Sequence, residues 1–160
     1  MDHVDILCDI HMYGDQIDLG VEYMRPHRLR GLASEYAFAK AWYEFIDDEQ
    51  YQLISPTIDK GWDFMVEKNS KRLQVKRFTP QGKRYNPNTL DLRRKRNKGT
   101  GNYTGEEFDY LIVHNTTNDD IIVASIDQLK RDDGTMQLSV SICPTRKSKG
   151  LINEGLQVLL

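Results

Sequence analysis

The stretch Gly61-Trp62-Asp63-Phe64-Met65-Val66-Glu67, then Lys68-Asn69-Ser70-Lys71, then Arg72-Leu73-Gln74-Val75-Lys76-Arg77, alternates apolar and polar residues on either side of a polar turn. A period of two predicts a β-hairpin. With the turn centred between Asn69 and Ser70, residue 67 faces 72, 65 faces 74 and 63 faces 76. Asp63, Gln74 and Lys76 then share one face. Phe64, Val66, Leu73 and Val75 fall on the other, where four apolar groups can pack against a helix. A three-residue loop would move the register by one and set Asp63 opposite Val75, so the turn decides where the polar set points.

Working outward, residues 28–47 carry Leu32, Tyr36, Phe38, Ala39, Trp42, Tyr43, Phe45 and Ile46 at helical spacing, and Ala33, Ala37 and Ala41 add helix propensity. Residues 51–55 read as a short strand ended by Pro56. Residues 79–105 interleave Pro80, Gly82, Pro87, Gly99, Gly101 and Gly105 with basic residues, the pattern of a long irregular or partly helical excursion. Two apolar runs, 108–114 and 121–126, predict strands around a turn at 115–120, followed by a short helix at about 127–131. An edge strand over 137–142 and an apolar tail that docks on the body or on a partner complete the reading. Residues 1–27 fit neither period and are read as an N-terminal extension, with residues 28–160 as a single domain. The fold class expected is α/β, a mixed central β-sheet flanked by helices.

The net charge is −2, from 22 Lys and Arg against 24 Asp and Glu. The average conceals segregation: residues 1–67 balance at −9 and residues 71–98 at +10, with Asp91 the single acid in the latter. A cationic strip beside an acidic cluster is an electrostatic footprint for a phosphate backbone, and its binding falls with salt. Arg77, Lys83, Arg84, Tyr85, Arg93, Arg94, Lys95, Arg96 and Lys98 are the expected DNA contacts, with Tyr85 and Tyr103 placed for base stacking or phosphate contact. The bland alternative is a solvated basic loop. Cys8 and Cys143 lie far apart without metal-ligand spacing or a secretory signal, which predicts reduced thiols in an intracellular, cytoplasmic protein. No apolar run reaches the roughly 18 residues of a membrane helix. His3 and His11 sit among acids in no recognisable metal spacing, and His27 and His114 have no obvious partners.

A phosphodiester resists hydrolysis because it repels the nucleophile and leaves poorly. A divalent cation addresses both, and Mg2+, with Mn2+ as substitute, prefers hard oxygen ligands. Asp63 can supply the carboxylate, the Val75 carbonyl a second oxygen, Lys76 a hold on the attacking water, and Glu35 an outer-shell carboxylate. Each has an ordinary alternative: Asp63 as a turn cap, Glu35 as an exposed helix acid, Gln74 and Lys76 as the solvated face of a hairpin.

With these residues in place the chain resembles the PD-(D/E)XK nuclease superfamily, and within it the group I intron-associated homing endonucleases and the Holliday-junction resolvases. The resemblance spans roughly residues 30–130. Gly31-Leu32-Ala33-Ser34-Glu35-Tyr36 is similar to the helix motif, Asp63 to the aspartate, Gln74-Val75-Lys76 to the acid-x-Lys motif, and the runs from Phe108 and Ile121 to the later strand pair. It implies a restriction-endonuclease-like core and a metal-dependent endodeoxyribonuclease of the site-specific homing type, with Glu35, Asp63, Gln74 and Lys76 catalytic and Asp63, Gln74, Val75 and Glu35 at the metal. Cutting both strands implies a homodimer or higher homo-oligomer. The departure is Gln74, where most of the superfamily has Glu or Asp: one negative charge fewer, with a carboxamide oxygen still able to ligate. A junction resolvase or a restriction or repair nuclease with the same site, and an inactive nucleic-acid-binding module, are the rival readings.

Overall fold

The computed structural model describes residues 26–58, 60–80, 88–96, 99–146 and 148–160. The chain divides into two compact units, Met1–Arg30 and Gly31–Leu160, and the described part of the first is the opening of a helix. The sites expected at Lys83, Arg84 and Tyr85, and the histidines His3 and His11, lie outside the described residues. So do the Lys95, Arg96 and Lys98 side chains.

Among the described residues, helix α1 (Pro26–Phe45) precedes nine strands: β1 (Leu53–Ile54), β2 (Phe64–Val66), β3 (Arg72–Phe78), β4 (Thr89–Asp91), β5 (Arg94–Arg96), β6 (Gly99–Gly101), β7 (Tyr110–Asn115), β8 (Ile121–Ser125) and β9 (Ser139–Ser141). Pro26 opens the helix rather than closing the segment before it, because its fixed φ and missing N–H suit a first helical turn. Five strands form a mixed sheet in the order β1-β2-β3-β7-β8, antiparallel except for the parallel pair β3–β7. The α/β class and the strands expected around the hairpin are present.

The hairpin register differs from expectation. Phe64 lies opposite Leu73 and Met65 opposite Arg72, a slip of two residues. The cause is the turn: the Val66 amide donates to the Lys71 carbonyl at 2.9 Å and Ser70 takes a left-handed φ of 58°, closing a four-residue connection. Asn69 supports it, its Oδ1 accepting from the Lys71 amide. A slip of two preserves the faces.

Leu73 and Val75 accordingly meet Phe38 and Trp42 of α1, joined by Val66, Ile112, Val123 and Leu159. Phe38 and Trp42 are wholly buried, with Phe64 5.8 Å from Phe38 by ring centroid. The Trp42 indole donates to the Tyr51 carbonyl at 2.8 Å, so its one polar atom is satisfied. The helix therefore docks along Ser34, Phe38 and Trp42, one residue per turn, while Leu32, Tyr36, Tyr43 and Phe45 are exposed despite their apolar character.

The opposite face of the sheet is covered by the excursion between β3 and β7. Its described residues are extended, not helical: β5 pairs with β6, and β4 pairs with β9 from beyond the main sheet. They bring Leu90, Leu92, Tyr103 and Phe108 against Phe78, Leu111 and Val113. The segment after β9 covers the open edge of β8, where the Glu154 amide donates to the Val123 carbonyl and Asn153 Oδ1 accepts from the Val123 amide. The apolar tail docks on the body through the 3-10 turn Leu156–Leu159.

The parallel pair is locked at its start. Asp109 accepts from the Arg72 amide at 2.8 Å and from the guanidinium at 3.0 and 3.2 Å, and its own amide donates to the Arg72 carbonyl. Burial pushes the Asp109 carboxyl up, but the Arg72 hydrogen bonds and charge outweigh it and hold it below the ordinary aspartate range. A group with a lowered folded pKa contributes stability that is present above its unfolded value and lost as pH falls through the folded one. Asp109→Asn is expected to cost about 1 kcal/mol at neutral pH, since the pair is partly solvated. The gap to wild type in urea unfolding should close as pH drops below about 4.

Candidate active site

β2 pairs with β3 only through Met65 and Phe64, so the half of β3 from Gln74 onward keeps β7 on one side and loses β2 on the other. The polar residues gather in that fork. Gly61 leads into it with a φ of 81°, a conformation suited to glycine, and a Cβ there would lie 3.1 Å from Glu107 and 3.5 Å from the Arg94 guanidinium carbon.

The Asp63 amide donates to the Leu73 carbonyl at 2.8 Å, and its Oδ2 accepts from the Val75 amide at 2.7 Å and from Gln74 Nε2 at 2.5 Å. The carboxylate thus takes the place of the main-chain carbonyl that a longer β2 would have offered to Val75. Gln74 Nε2 also donates to the Val75 carbonyl at 3.1 Å. Asp63, Gln74 and Val75 are therefore brought together, with Gln74 and Val75 buried and Asp63 half-buried.

Lys76, one alternation further on the same face, is half-buried. Its ammonium lies 3.5 Å from the Arg93 carbonyl and 5.5 Å from the Tyr103 ring centre, a cation–π contact. Tyr103 is buried and packs edge-on against Phe108 at 5.1 Å, so it is a floor under Lys76 rather than a platform for a base. Glu35 is half-buried on α1, beside Ser34.

Two expected DNA contacts are placed differently from the rest. Arg77 is exposed, but strand alternation puts it on the face opposite Gln74 and Lys76. Arg93 is engaged with Asp91, donating through Nε and Nη2 at 2.7–3.1 Å, which holds the Asp91 carboxyl low and neutralises part of the cationic strip. Arg94 stands beside Gly61 at the mouth of the fork.

His114, which sequence left without partners, has two. Nδ1 lies 2.9 Å from the buried Ser34 hydroxyl and Nε2 2.9 Å from Asp119, whose left-handed φ of 58° shapes the β7–β8 turn. This chain of contacts ties α1 to the sheet one residue before Glu35. Ser34 and His114 are 80 positions apart, and no local pattern could have linked them. Glu107 is the other residue missed: burial raises its carboxyl, but the Thr104 and Gly105 amides and the Thr104 hydroxyl together bring it below the ordinary range.

Among the described residues no group of three or more His, Cys, Asp or Glu gathers to hold a metal. The oxygens at the fork nevertheless suit a hard cation, because Asp63 Oδ2 and the Val75 carbonyl already converge on one positively polarised group, the Gln74 amide nitrogen. A cation there requires that amide to turn its oxygen inward.

A five-stranded mixed sheet with α1 on one face and the polar fork on the other is a nuclease-like α/β core. A solved structure with the same fold is that of a bacterial homing endonuclease, I-Ssp6803I, similar at a TM-score of 0.57 and 17% sequence identity over 78% of this chain and 83% of that one. At that identity the likeness is one of fold. No protein-family model matches the chain, and no curated protein does.

Removing the Asp63 carboxylate strands the Val75 amide and the Gln74 amide protons. Asp63→Ala is expected to lose about 1–3 kcal/mol in urea unfolding with chelator present, and Asp63→Asn, which keeps an acceptor oxygen, distinctly less.

Proposed function

We propose that the chain is a metal-dependent DNA endonuclease that hydrolyses phosphodiester bonds, of the site-specific homing type. The observation that carries this reading is the fork, where Asp63, Gln74 and the Val75 carbonyl converge with Lys76 next in line on the same face. The fold it shares with a homing endonuclease and the +10 balance of residues 71–98 support it.

Mg2+, with Mn2+ in its place, would be held by Asp63, the Gln74 amide oxygen and the Val75 carbonyl, with Glu35 behind them. When bound it supplies Lewis acidity and counter-charge at the scissile phosphate. Lys76 then has two tasks open to an ammonium: positioning the attacking water and offsetting the charge that grows on phosphorus. The Tyr103 ring and the Arg93 carbonyl hold its ammonium in place. Arg94 adds a positive charge at the mouth, and Lys83, Arg84, Tyr85, Lys95, Arg96 and Lys98 belong to the same cationic stretch of sequence. Arg77, on the far face, would meet DNA only outside the cleft. Cutting two strands calls for two copies of this one fork, hence a homodimer or higher assembly acting in the cell interior.

A second reading is a nucleic-acid-binding module without chemistry. The orientation of Gln74 favours it, since its amide nitrogen occupies the point between Asp63 Oδ2 and the Val75 carbonyl that a cation would take.

Plasmid nicking separates the two. Wild type in Mg2+ or Mn2+ is expected to convert supercoiled plasmid to nicked and linear forms, and Lys76→Ala to slow this by about 100-fold or more. Equal retention of supercoiled plasmid by both proteins, with salt-sensitive DNA binding intact, would establish the binding module. Gln74→Glu supplies a further readout: two carboxylates in contact should lower the melting temperature in chelator and make it rise more steeply with added Mg2+ than wild type does.

A further inference from the structure

A second cationic feature lies outside the fork. The β4–β9 ribbon and the loop that follows it enclose a groove of about 520 Å³, lined by Asn88, Thr89, Ser141, Thr145, Arg146 and Lys149 among others. Its described lining consists of hydroxyl and amide side chains, one valine and two cations, without a carboxylate. Asp91, the acid on the same ribbon, has its charge matched by Arg93. The volume is in the range of small-molecule sites, and the lining is that of a site for an anion bearing several oxygens.

The loop that carries the cations has a defined shape. The Thr145 amide donates to the Ser148 carbonyl at 2.9 Å, the Ser148 amide returns to Thr145 Oγ1 at 3.0 Å, and the two hydroxyls meet at 2.7 Å. Gly150 closes it, since a Cβ there would lie 2.6 Å from the Pro144 nitrogen. Only glycine permits that approach. The Leu151 amide donates to the Ser141 carbonyl and the Ile142 amide to the Asn88 carbonyl, which fasten the loop and β4 to β9.

We infer that this groove is a second binding site for the sugar–phosphate backbone, reading no sequence and extending the DNA footprint beyond the cleft. The inference rests on the DNA reading of the fork and deepens it. The two places are joined by one short run of chain: Thr89 lines the groove, and Arg93, four residues later, offers its carbonyl to Lys76. Four residues span at most about 14 Å when fully extended. A duplex advances roughly 3.4 Å per nucleotide along each strand, so the span from Thr89 to Arg93 corresponds to at most about four nucleotide steps. Arg146 and Lys149 supply point charges to the phosphate oxygens, and the Thr89 and Ser139 hydroxyls and the Asn88 amide supply hydrogen-bond donors.

The test uses the full chain in chelator with a fluorescein-labelled 30-base-pair duplex of arbitrary sequence, titrated from low to moderate salt. Two variants are compared with wild type. Arg146→Gln with Lys149→Gln removes the groove's charges, and Lys68→Gln with Arg131→Gln removes the same charge elsewhere. The groove variant is expected to bind at least about tenfold more weakly at 0.15 M salt, with the slope of log affinity against log salt shallower by about 1.8, two phosphate contacts' worth. The control variant should stay within about twofold of wild type. A groove variant indistinguishable from wild type, or a control that loses as much, overturns the groove while leaving the DNA reading standing. A wild type that shows no salt-dependent binding overturns both. Circular dichroism of each variant, and the single variants Arg146→Gln and Lys149→Gln with half the slope change each, keep a folding defect from passing as support.

Discussion

Everything at the candidate site depends on β3 having two unlike neighbours. On one side it runs parallel to β7 over six residues, from Leu73 beside Tyr110 to Phe78 beside Asn115; on the other it is met by β2 for two residues and then abandoned. A strand deserted on one edge carries unpaired amides and carbonyls, and burying them uncompensated would be costly. Side chains solve the problem here, with Asp63 accepting one amide and Gln74 donating to one carbonyl. The same geometry that balances the hydrogen bonds places a carboxylate, an amide and a peptide oxygen around one point. The structural role of Asp63 and the metal-binding role proposed for it draw on one arrangement.

The parallel register is held from its first residue by Arg72 and Asp109, which pair through both main chain and side chain. Without that lock β3 could slide against β7, and a slide of one residue would turn Gln74 and Lys76 into the helix-side core and Val75 out of it. The second anchor, from Ser34 through His114 to Asp119, fixes α1 along the same sheet. The two ends of the β3–β7 pair are thus pinned by different chemistries, a partly solvated ion pair at one and a largely buried imidazole at the other.

How much of this was legible in the sequence follows the range of the forces involved. The period-two alternation announced both faces of β3, and the helical spacing of Phe38 and Trp42 announced the element that covers one of them. The register was not legible, because it depended on whether Ser70 would adopt a left-handed φ that many residues avoid, and that choice lengthened the turn from two residues to four. The slip was even, so Asp63 found Gln74 instead of Lys76 and stayed on its face. The strands β4, β5 and β6 were hidden because each is three residues long and either contains Gly or is bounded by Pro or Asn, leaving no window in which a period can be counted. The partners of His114 were hidden by distance along the chain. Helical spacing alone does not say which residues the sheet covers, and Leu32, Tyr36, Tyr43 and Phe45 are exposed because apolar residues occur on more of α1 than the sheet can cover.

The tip of the β2–β3 hairpin is clasped from far away: Asn69 donates to the Leu159 carbonyl, and the Lys71 ammonium donates to the Val158 and Leu160 carbonyls at 2.8 Å, about 90 positions along the chain. Leu159 is at the same time a fully buried member of the helix-side core. During synthesis, then, the hairpin that bears Asp63 and Gln74 emerges long before the residues that clasp its tip, and the helix-side core stays one side chain short until residue 159 has left the ribosome. Loop-closure entropy makes such distant contacts slow to form. A nascent chain therefore carries this hairpin without its clasp, and the helix-side core without Leu159, until the tail has been made.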